Sequence, residues 1–575
     1  MLVALATILP IVAVPAALAD PSSAVLASSA PATSYGRPVT FSVTATGSPV
    51  CVGGRSVELQ WRATGTSAFA AVAQAATDPA GVVSFAHAPA HTGRFRAVLA
   101  EAGSCTEAVS NEVAVRVRVL VEISPATATA AAGSCVDVTV VVSPPKPGHD
   151  VELQRRLDGA WTSVETNPLN GDSRGRAAAC VGWEDRGTVR FRVRWPSQDA
   201  LNATGWSARL PVEVERPAWA REIDKAIGRR TVSVSVSEDG SFLYRAADET
   251  PRTPASNEKL LLAMASLDTF GPAYRIVTRA AAATFSDGVV RGDLWILGRG
   301  DPIVGRAAMG RLADALVAAG LRRVAGRVMG STAYFDRDWN APGWNGVARR
   351  YVNRPTALTF EGNGAANPER EAATALSRQL ERRGVRVTKA PGSGRHPNGV
   401  NAIASIESKP MRVLLARMLR PSWNFAAEVL GKGLGAEVRG APGTIAKGAS
   451  TIQAWVAERG ASFSLFDSSG LSYSNRVTAA GIVELLTQAE DEVWGRALRR
   501  ALPTGGQGTL ERRLRATPVR AKTGSLSRVS TLSGWVFSAS RGSWIEFSIL
   551  CAGLSKSTAV TIEDRIVRIL HSAPL

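Results

Sequence analysis

Apolar and polar residues alternate with a period of two in short runs through the first third of the chain, at 39–45, 136–142 and 188–195, with clusters of Gly, Pro and Asp between them. Alternation of this kind buries one face and wets the other, so each run predicts a β-strand. The pattern also repeats. Val57-Glu58-Leu59-Gln60 recurs as Val151-Glu152-Leu153-Gln154, a shift of 94 residues, and the same shift carries Gly81 to Gly175 and Gly93 to Gly187. Phe95-Arg96 returns slightly later, as Phe191-Arg192. Short strands at this spacing predict two all-β immunoglobulin-like sandwiches of about 100 residues each, at 20–118 and 119–216. Neither copy gathers His, Asp or Ser into a repeated constellation, so spacing or polymer binding is expected of them rather than catalysis.

The texture changes after Pro217. Residues 218–229 predict a short helix, and 231–237 and 241–245 predict strands joined at Asp239-Gly240, a strong two-residue hairpin signal. The stretch 256–267, SNEKLLLAMASL, is helix-favouring and strongly apolar, which predicts a buried helix opened by Thr253-Pro254. Toward the other end, 519–522, 531–538 and 544–551 predict consecutive strands and 558–571 a closing helix. Residues 217–575 are therefore expected to form an α/β domain with an antiparallel sheet.

Composition narrows the class without changing this picture. A chain of 575 residues, 45% hydrophobic and 20% charged, is multidomain globular material, neither largely disordered nor a polytopic membrane protein. Its net charge of +18 favours anionic partners such as a charged envelope polymer or a nucleic acid. Only nine of the 67 basic residues are Lys, however, and so large an Arg excess is equally well read as codon bias. No Arg/Lys run interleaved with aromatics occurs, which sets nucleic acid aside.

Residues 1–19, MLVALATILPIVAVPAALA, are uncharged and end on Ala17-Leu18-Ala19, a small-x-small cleavage pattern. They read as a signal peptide, with an uncleaved anchor as the alternative, and imply export to the cell envelope, periplasm or medium. The cysteines fit an oxidising compartment. Cys51, Cys105, Cys135 and Cys180 allow three pairings, of which Cys51–Cys105 and Cys135–Cys180 would each staple one module. Cys551, in the apolar run FSILCAG, reads as a buried strand residue.

The five His, at 87, 91, 149, 396 and 571, form no H-E-x-x-H pair, and no Cys-x-x-Cys occurs, so neither a metal nor a cofactor is expected. Beyond residue 216 only His396 and His571 remain, which makes a Ser-His-Asp triad a poor fit. Lysine can replace histidine as the base if it is deprotonated. In Ser256-Asn257-Glu258-Lys259 the spacing i, i+3 puts hydroxyl and amine on one helical face. The same spacing in Ser143-Pro144-Pro145-Lys146 serves as a control, because two prolines disfavour the helical geometry. Two further strings follow in order: Ser422-Trp423-Asn424, the only Ser-x-Asn, and Lys522-Thr523-Gly524, the only Lys-Thr-Gly. That ordered trio is the pattern of penicillin-recognising acyl-serine enzymes.

With these motifs and with GDLWILGRGDPIV at 292–304, SKPMRVLLARMLRPSWNFAAEVL at 408–430, DSSGLSYSNRVT at 467–478 and RAKTGSLSRVSTLSGWV at 520–536, residues 217–575 resemble the penicillin-binding protein 4-type D-alanyl-D-alanine carboxypeptidase/endopeptidase family. The resemblance implies a β-lactamase/transpeptidase-like penicillin-binding fold with a large insertion, here at about 275–408. Trp423 stands where the family often has Asp, Ser468 where Gly is usual, and Gln507 where Asp is common.

From the resemblance and from physical chemistry together, Ser256 is the expected nucleophile and Lys259 its base, with burial and the field of Lys522 lowering the Lys259 pKa. The oxyanion is expected between the N–H groups of Ser256 and Ser525. Ser422 is implied to relay a proton to the leaving amine, Asn424 to hold a substrate amide, and Lys522 with Thr523, ahead of Gly524 and Ser525, to bind the terminal carboxylate. The expected substrates are peptidoglycan stem peptides, and the expected covalent inhibitors are β-lactams. Two rivals are a catalytically weak wall-binding protein and a β-lactamase or esterase on the same scaffold. The intact trio argues against the first, and the lack of an E-x-x-L-N-type motif against the second.

Overall fold

The structure, a computed structural model, describes residues 19–574, so the expected signal peptide lies outside the described residues but for Ala19. The described chain divides into two compact units, one ending at Arg216 and one beginning at Pro217.

The first unit contains two all-β modules. In the first, the sheet Ser23–Ser28, Val39–Thr46, Val82–His87 shares a core with a larger sheet in which Ser56–Ala63 pairs with Ala70–Ala76 and with Gly93–Leu99. Phe41 and Phe95 meet across that core with ring centroids 4.2 Å apart. The second module repeats the plan: Leu120–Ser124, Cys135–Ser143 and Arg174–Cys180 oppose a sheet built on Asp150–Leu157, Ala160–Pro168 and Thr188–Trp195.

The sequence repeat has a structural counterpart. Val57 and Leu59, like Val151 and Leu153, point into their cores, and the strand pairing shifts register between Leu59 and Gln60 and again between Leu153 and Gln154. Arg96 donates to Gln60 at 2.8 Å, and Arg192 donates to Gln154 at 2.9 Å. The disulfides Cys51–Cys105 and Cys135–Cys180 each close one module. Lys146 of the control Ser-x-x-Lys pairs with Asp199 at 2.5 Å, far in sequence from Ser143.

The second unit is built on an antiparallel five-stranded sheet in the order Ser241–Ala246, Val232–Glu238, Ser543–Ala552, Val529–Ser538, Val519–Leu526. The Asp239-Gly240 hairpin forms its outer pair, and Cys551 is buried in the middle strand. The closing helix Lys556–Ser572 packs on the strand Val529–Ser538. A helix Glu258–Phe270, buried at every position from Glu258 to Leu267, runs through an apolar core with Met411–Leu419, Asn424–Arg439 and Ile445–Glu458 around it. An all-round apolar surface requires burial on all sides, and the helix receives it.

Residues 277–407 form a separate sheet, Gly392–Gly394, Val328–Ser331, Leu294–Leu297, Val277–Ala282, Asn401–Glu407, with the helices Arg306–Ala318 and Pro368–Glu381 and their own core. Among the described residues no helix is long and apolar enough to cross a membrane.

Candidate active site

Ser256 departs from its expected place in one respect. The helix begins at Glu258 rather than at Ser256, and Ser256 sits in a one-turn 3-10 segment, Ala255–Asn257, just ahead of it. The reason is local: Ala255 adopts φ +47°, which a regular helix forbids, and Pro254 ahead of it has no N–H.

The turn is pinned from the sheet, because Thr531 donates to the Pro254 carbonyl at 2.8 Å and Asn257 donates to Ser533 at 2.6 Å. Two glycines allow the neighbouring chains to close on it. A Cβ on Gly524 would lie 2.1 Å from Thr531 Oγ1 and 3.0 Å from the Ser256 nitrogen. A Cβ on Gly470, itself at φ +79°, would lie 1.9 Å from the Ala255 oxygen. The glycine of the Lys-Thr-Gly string is thus required by close approach, and the glycine of DSSGLS both by approach and by its left-handed backbone.

One helical turn on, fully buried Lys259 donates to Ser256 Oγ at 3.0 Å, to Asn424 Oδ1 at 2.8 Å and to the Ser469 carbonyl at 2.5 Å. Asn424, the first residue of its helix, donates its amide hydrogen to the Tyr351 carbonyl at 3.1 Å. Ser422 lies across the same site at φ +59°, and its Oγ accepts from Lys522 at 2.9 Å. Lys522 also donates to the Thr523 carbonyl at 2.6 Å, and Thr523 Oγ1 meets Thr509 Oγ1 at 2.7 Å. Ser525 Oγ accepts from Lys556, which also donates to Ser530 at 2.9 Å. Hydrogen bonds join Ser256, Lys259 and Asn424 in one group and Ser422, Lys522 and Thr523 in another, Gly524 brings the second against the Ser256 nitrogen, and Ser256, Asn424 and Ser525 line a cavity of about 410 Å³ with Tyr351, Leu471 and Tyr473.

The electrostatics follow from burial. Desolvation lowers Lys259 from the usual 10.5 to about 8, against the opposing fields of Asp467, Glu428 and Glu258. Lys522 is pushed well below the ordinary lysine value, by burial first and then by the charges of Lys259 and Lys556. Its hydrogen-bond partners, Ser422 Oγ and the Thr523 carbonyl, are both uncharged.

Three buried acids surround the serine and its amine. Glu258 is held well above the usual carboxyl range, by burial first and then by Asp467 and Glu428, and Glu428 is raised to about 7 by burial and by Asp467. Glu428 accepts from the backbone N–H groups of Ser468 at 3.1 Å and Ser469 at 2.8 Å, which aims the Ser469 carbonyl at Lys259. Asp467 accepts from Trp344 at 2.8 Å and from Asn475 at 2.8 Å.

Among the departures from the family pattern, Ser468 is accommodated by Gly431: a Cβ there would lie 2.0 Å from Ser468 Oγ. Trp423 packs against Phe425, ring centroids 5.5 Å apart, and Gln507 precedes the short turn Gly508–Leu510.

Set beside known proteins, residues 221–366 and 362–573 match the profile of the D-Ala-D-Ala carboxypeptidase 3 (S13) family. The chain belongs to this family. It is an enzyme, a serine-type D-Ala-D-Ala carboxypeptidase of the penicillin-binding protein 4 type. Relatives include the D-alanyl-D-alanine carboxypeptidase of Actinomadura sp. (strain R39), 28% identical over 437 residues that span 58% of this chain and 80% of that protein. A carboxypeptidase of Mycobacterium tuberculosis is 30% identical over 374 residues, 58% of this chain and 77% of that one. The fold is shared with penicillin binding protein 4 of Haemophilus influenzae, at a TM-score of 0.54 and 19% identity over 61% of this chain and 99% of that one.

Sequence reasoning missed several residues of this carboxypeptidase's site. Glu258 stood in plain view inside SNEKLLLAMASL, where an acid within an apolar helix signals a buried carboxyl. Glu428, Asp467 and the Ser469 carbonyl lay in quoted strings without a sign of their role. Lys556 carried only the scarcity of lysine as a signal.

Proposed function

We propose that this carboxypeptidase works through an acyl-enzyme on Ser256 and acts on peptidoglycan stem peptides, with β-lactams as covalent inhibitors. The observation that carries the reading is the 3.0 Å contact between Ser256 Oγ and an amine whose pKa is lowered to about 8. Neutral Lys259 takes the Ser256 proton as Oγ bonds to the penultimate D-Ala carbonyl carbon. The resulting oxyanion is held by the backbone N–H groups of Ser256 and Ser525. The C–N bond then breaks while the proton on Lys259 reaches the leaving amine by way of Ser422, and water hydrolyses the ester. Asn424 orients both Lys259 and a substrate amide.

Lys522 and Thr523 take the terminal carboxylate. A buried ammonium without a counter-ion is an unfavourable state, and an incoming carboxylate supplies the missing charge. A cross-linked peptide that keeps a carboxylate beside the scissile nitrogen meets the same requirement, so endopeptidase cleavage belongs to the same reading.

In this reading 20–118 and 119–216 are immunoglobulin-like modules of an exported protein, residues 1–19 are its signal peptide, and the modules hold the enzyme to the wall through an anionic polymer. Loss of sedimentation with insoluble wall in a protein starting at Pro217 supports that role, and equal sedimentation refutes it.

The deciding experiment is a mass spectrum of the intact protein after penicillin, followed over time. A stable adduct that Ser256→Ala abolishes, with an unchanged circular dichroism spectrum, is expected. Undiminished labelling of Ser256→Ala moves the nucleophile elsewhere, and rapid loss of the adduct favours a β-lactamase.

A further inference from the structure

Away from the cavity that holds Ser256, the catalytic unit carries a larger open groove of about 900 Å³ between the helices Met411–Leu419 and Gly495–Ala501. Each helix buries its apolar side, Leu414, Leu415 and Met418 on one and Leu498 and Ala501 on the other, and turns arginines outward. Arg412, Arg417, Arg420, Arg496 and Arg500 line the groove, and all five are exposed.

Among the described residues none of the five makes an ion pair. Arg412 and Arg420 donate only to the carbonyls of Pro272 and Arg500. Glu490, on the neighbouring helix, is taken by Arg499, and the buried Asp301 feels the charge of Arg417 without forming an ion pair with it. Such a set of like charges raises the free energy of the folded chain slightly. Its field reaches the strand of the Lys-Thr-Gly string, where the charges of Arg420, Arg499 and Arg500 add to burial in disfavouring the cationic form of Arg520.

The groove has a direction. Pro421, at its edge, immediately precedes Ser422, whose hydroxyl accepts from Lys522. The Arg420 carbonyl accepts the N–H of Thr509, and Thr509 Oγ1 touches Thr523 Oγ1. The arginines therefore begin where the carboxylate end of the site stops. That is the side on which a leaving group departs if Lys522 and Thr523 hold the carboxylate next to the scissile nitrogen.

We propose that this five-arginine groove is a subsite for the leaving strand of a cross-linked peptide, binding the carboxylates that the second stem carries beyond the scissile bond. The proposal rests on the function given above. A single D-Ala leaves nothing to reach the groove, whereas a second stem peptide extends into it with free carboxylates. Guanidinium groups on two facing helices suit carboxylates presented along a flexible chain. The groove thus separates two substrates that share one catalytic centre: the short one ignores it, and the long one uses it.

The test compares the full-length protein with Arg417→Glu/Arg496→Glu and with the milder Arg417→Gln/Arg496→Gln, which guards against misfolding of the charge-reversed form. Three rates are read: acylation by penicillin, release of D-Ala from a monomeric stem pentapeptide, and cleavage of a cross-linked stem dimer. Cleavage of the dimer should fall about tenfold in the Glu pair and less in the Gln pair, and lose its dependence on ionic strength, while acylation and D-Ala release stay within about twofold. Unchanged dimer cleavage in the Glu pair, or an equal fall with monomer and dimer, overturns the proposal. So does loss of binding to a phosphodiester wall polymer with dimer cleavage intact, which assigns the groove to another polyanion. Failure of the wild-type protein to be acylated at Ser256 sinks the proposed function instead.

Discussion

Lys522 Nζ and Ser422 Oγ, a hundred residues apart in sequence, meet at 2.9 Å, and the serine reaches that bond only by holding its backbone at φ +59°. A non-glycine residue in this region is strained, and the strain is maintained here by the contact it permits. Ser422→Gly and Ser422→Ala both delete the hydroxyl, but only the glycine relieves the backbone. The glycine variant should therefore be the more stable of the two by about 1 kcal/mol, while both acylate with penicillin at least tenfold more slowly than wild type. Thermal melts and stopped-flow labelling read the two effects separately. An alanine variant as stable as the glycine one would remove the strain argument.

The depressed pKa of Lys522 makes substrate binding a proton-linked event. Free Lys522 sheds its proton more readily than an ordinary lysine, and a carboxylate bound beside it favours the charged form. A peptide ending in D-Ala-D-Ala should thus draw a proton from solvent on binding to Ser256→Ala at a pH between the lowered pKa of free Lys522 and the ordinary lysine value. Calorimetry in two buffers of different ionisation enthalpy measures that uptake. Binding of the C-terminal amide should show none, and proton release in place of uptake would contradict the assigned role of Lys522.

Lys259 acts as a base only when neutral. Acylation should accordingly rise with pH and reach half of its plateau near pH 8. Glu428 opposes the lowering of that pKa, so Glu428→Gln, which keeps an acceptor for the Ser468 and Ser469 N–H groups, should move the midpoint below 8. The same shifts have a stability sign. A lysine lowered from 10.5 to about 8 binds fewer protons folded than unfolded across that window, so its contribution to stability improves as pH rises from about 8 to 10.5. Glu428, raised from 4.5 to about 7, binds more protons folded, and its contribution declines as pH rises between those values. A Glu428→Gln midpoint above wild type would refute the electrostatic assignment.

Gly470→Ala should damage the serine turn rather than the chemistry directly. The new Cβ meets the Ala255 oxygen at 1.9 Å, and the φ of +79° is unfavourable for any side chain. A loss of about 2 kcal/mol or more is expected, with penicillin labelling lost in proportion to the displacement of Ser256. Gly292→Ala, where a Cβ meets nothing within 4 Å, is the control and should leave labelling unchanged. Full labelling of Gly470→Ala would show that the turn does not depend on this close approach.

Local chemistry alone determined much of this protein. Alternation marked strands such as Thr188–Trp195, the Asp239-Gly240 pair marked the hairpin, and the all-round apolar run after Lys259 marked a buried helix, because each is a property of a few adjacent residues. The order of Ser256-x-x-Lys259, Ser422-x-Asn424 and Lys522-Thr523-Gly524 marked the candidate site because scarce residue types at fixed spacing leave few alternatives. Only the tertiary structure decided the rest. The start of the helix at Glu258 depends on a turn gripped by Gly470 and Gly524, which are more than 200 residues away from it. The lowered Lys259 pKa arises from burial that several distant segments create together, among Glu258, Glu428 and Asp467. The arginine groove exists because two helices about 80 residues apart pack side by side and both turn arginines outward along it. Periodicity and spacing describe a chain's neighbours along the backbone, whereas desolvation and field depend on neighbours in space, and these are set only when the core closes.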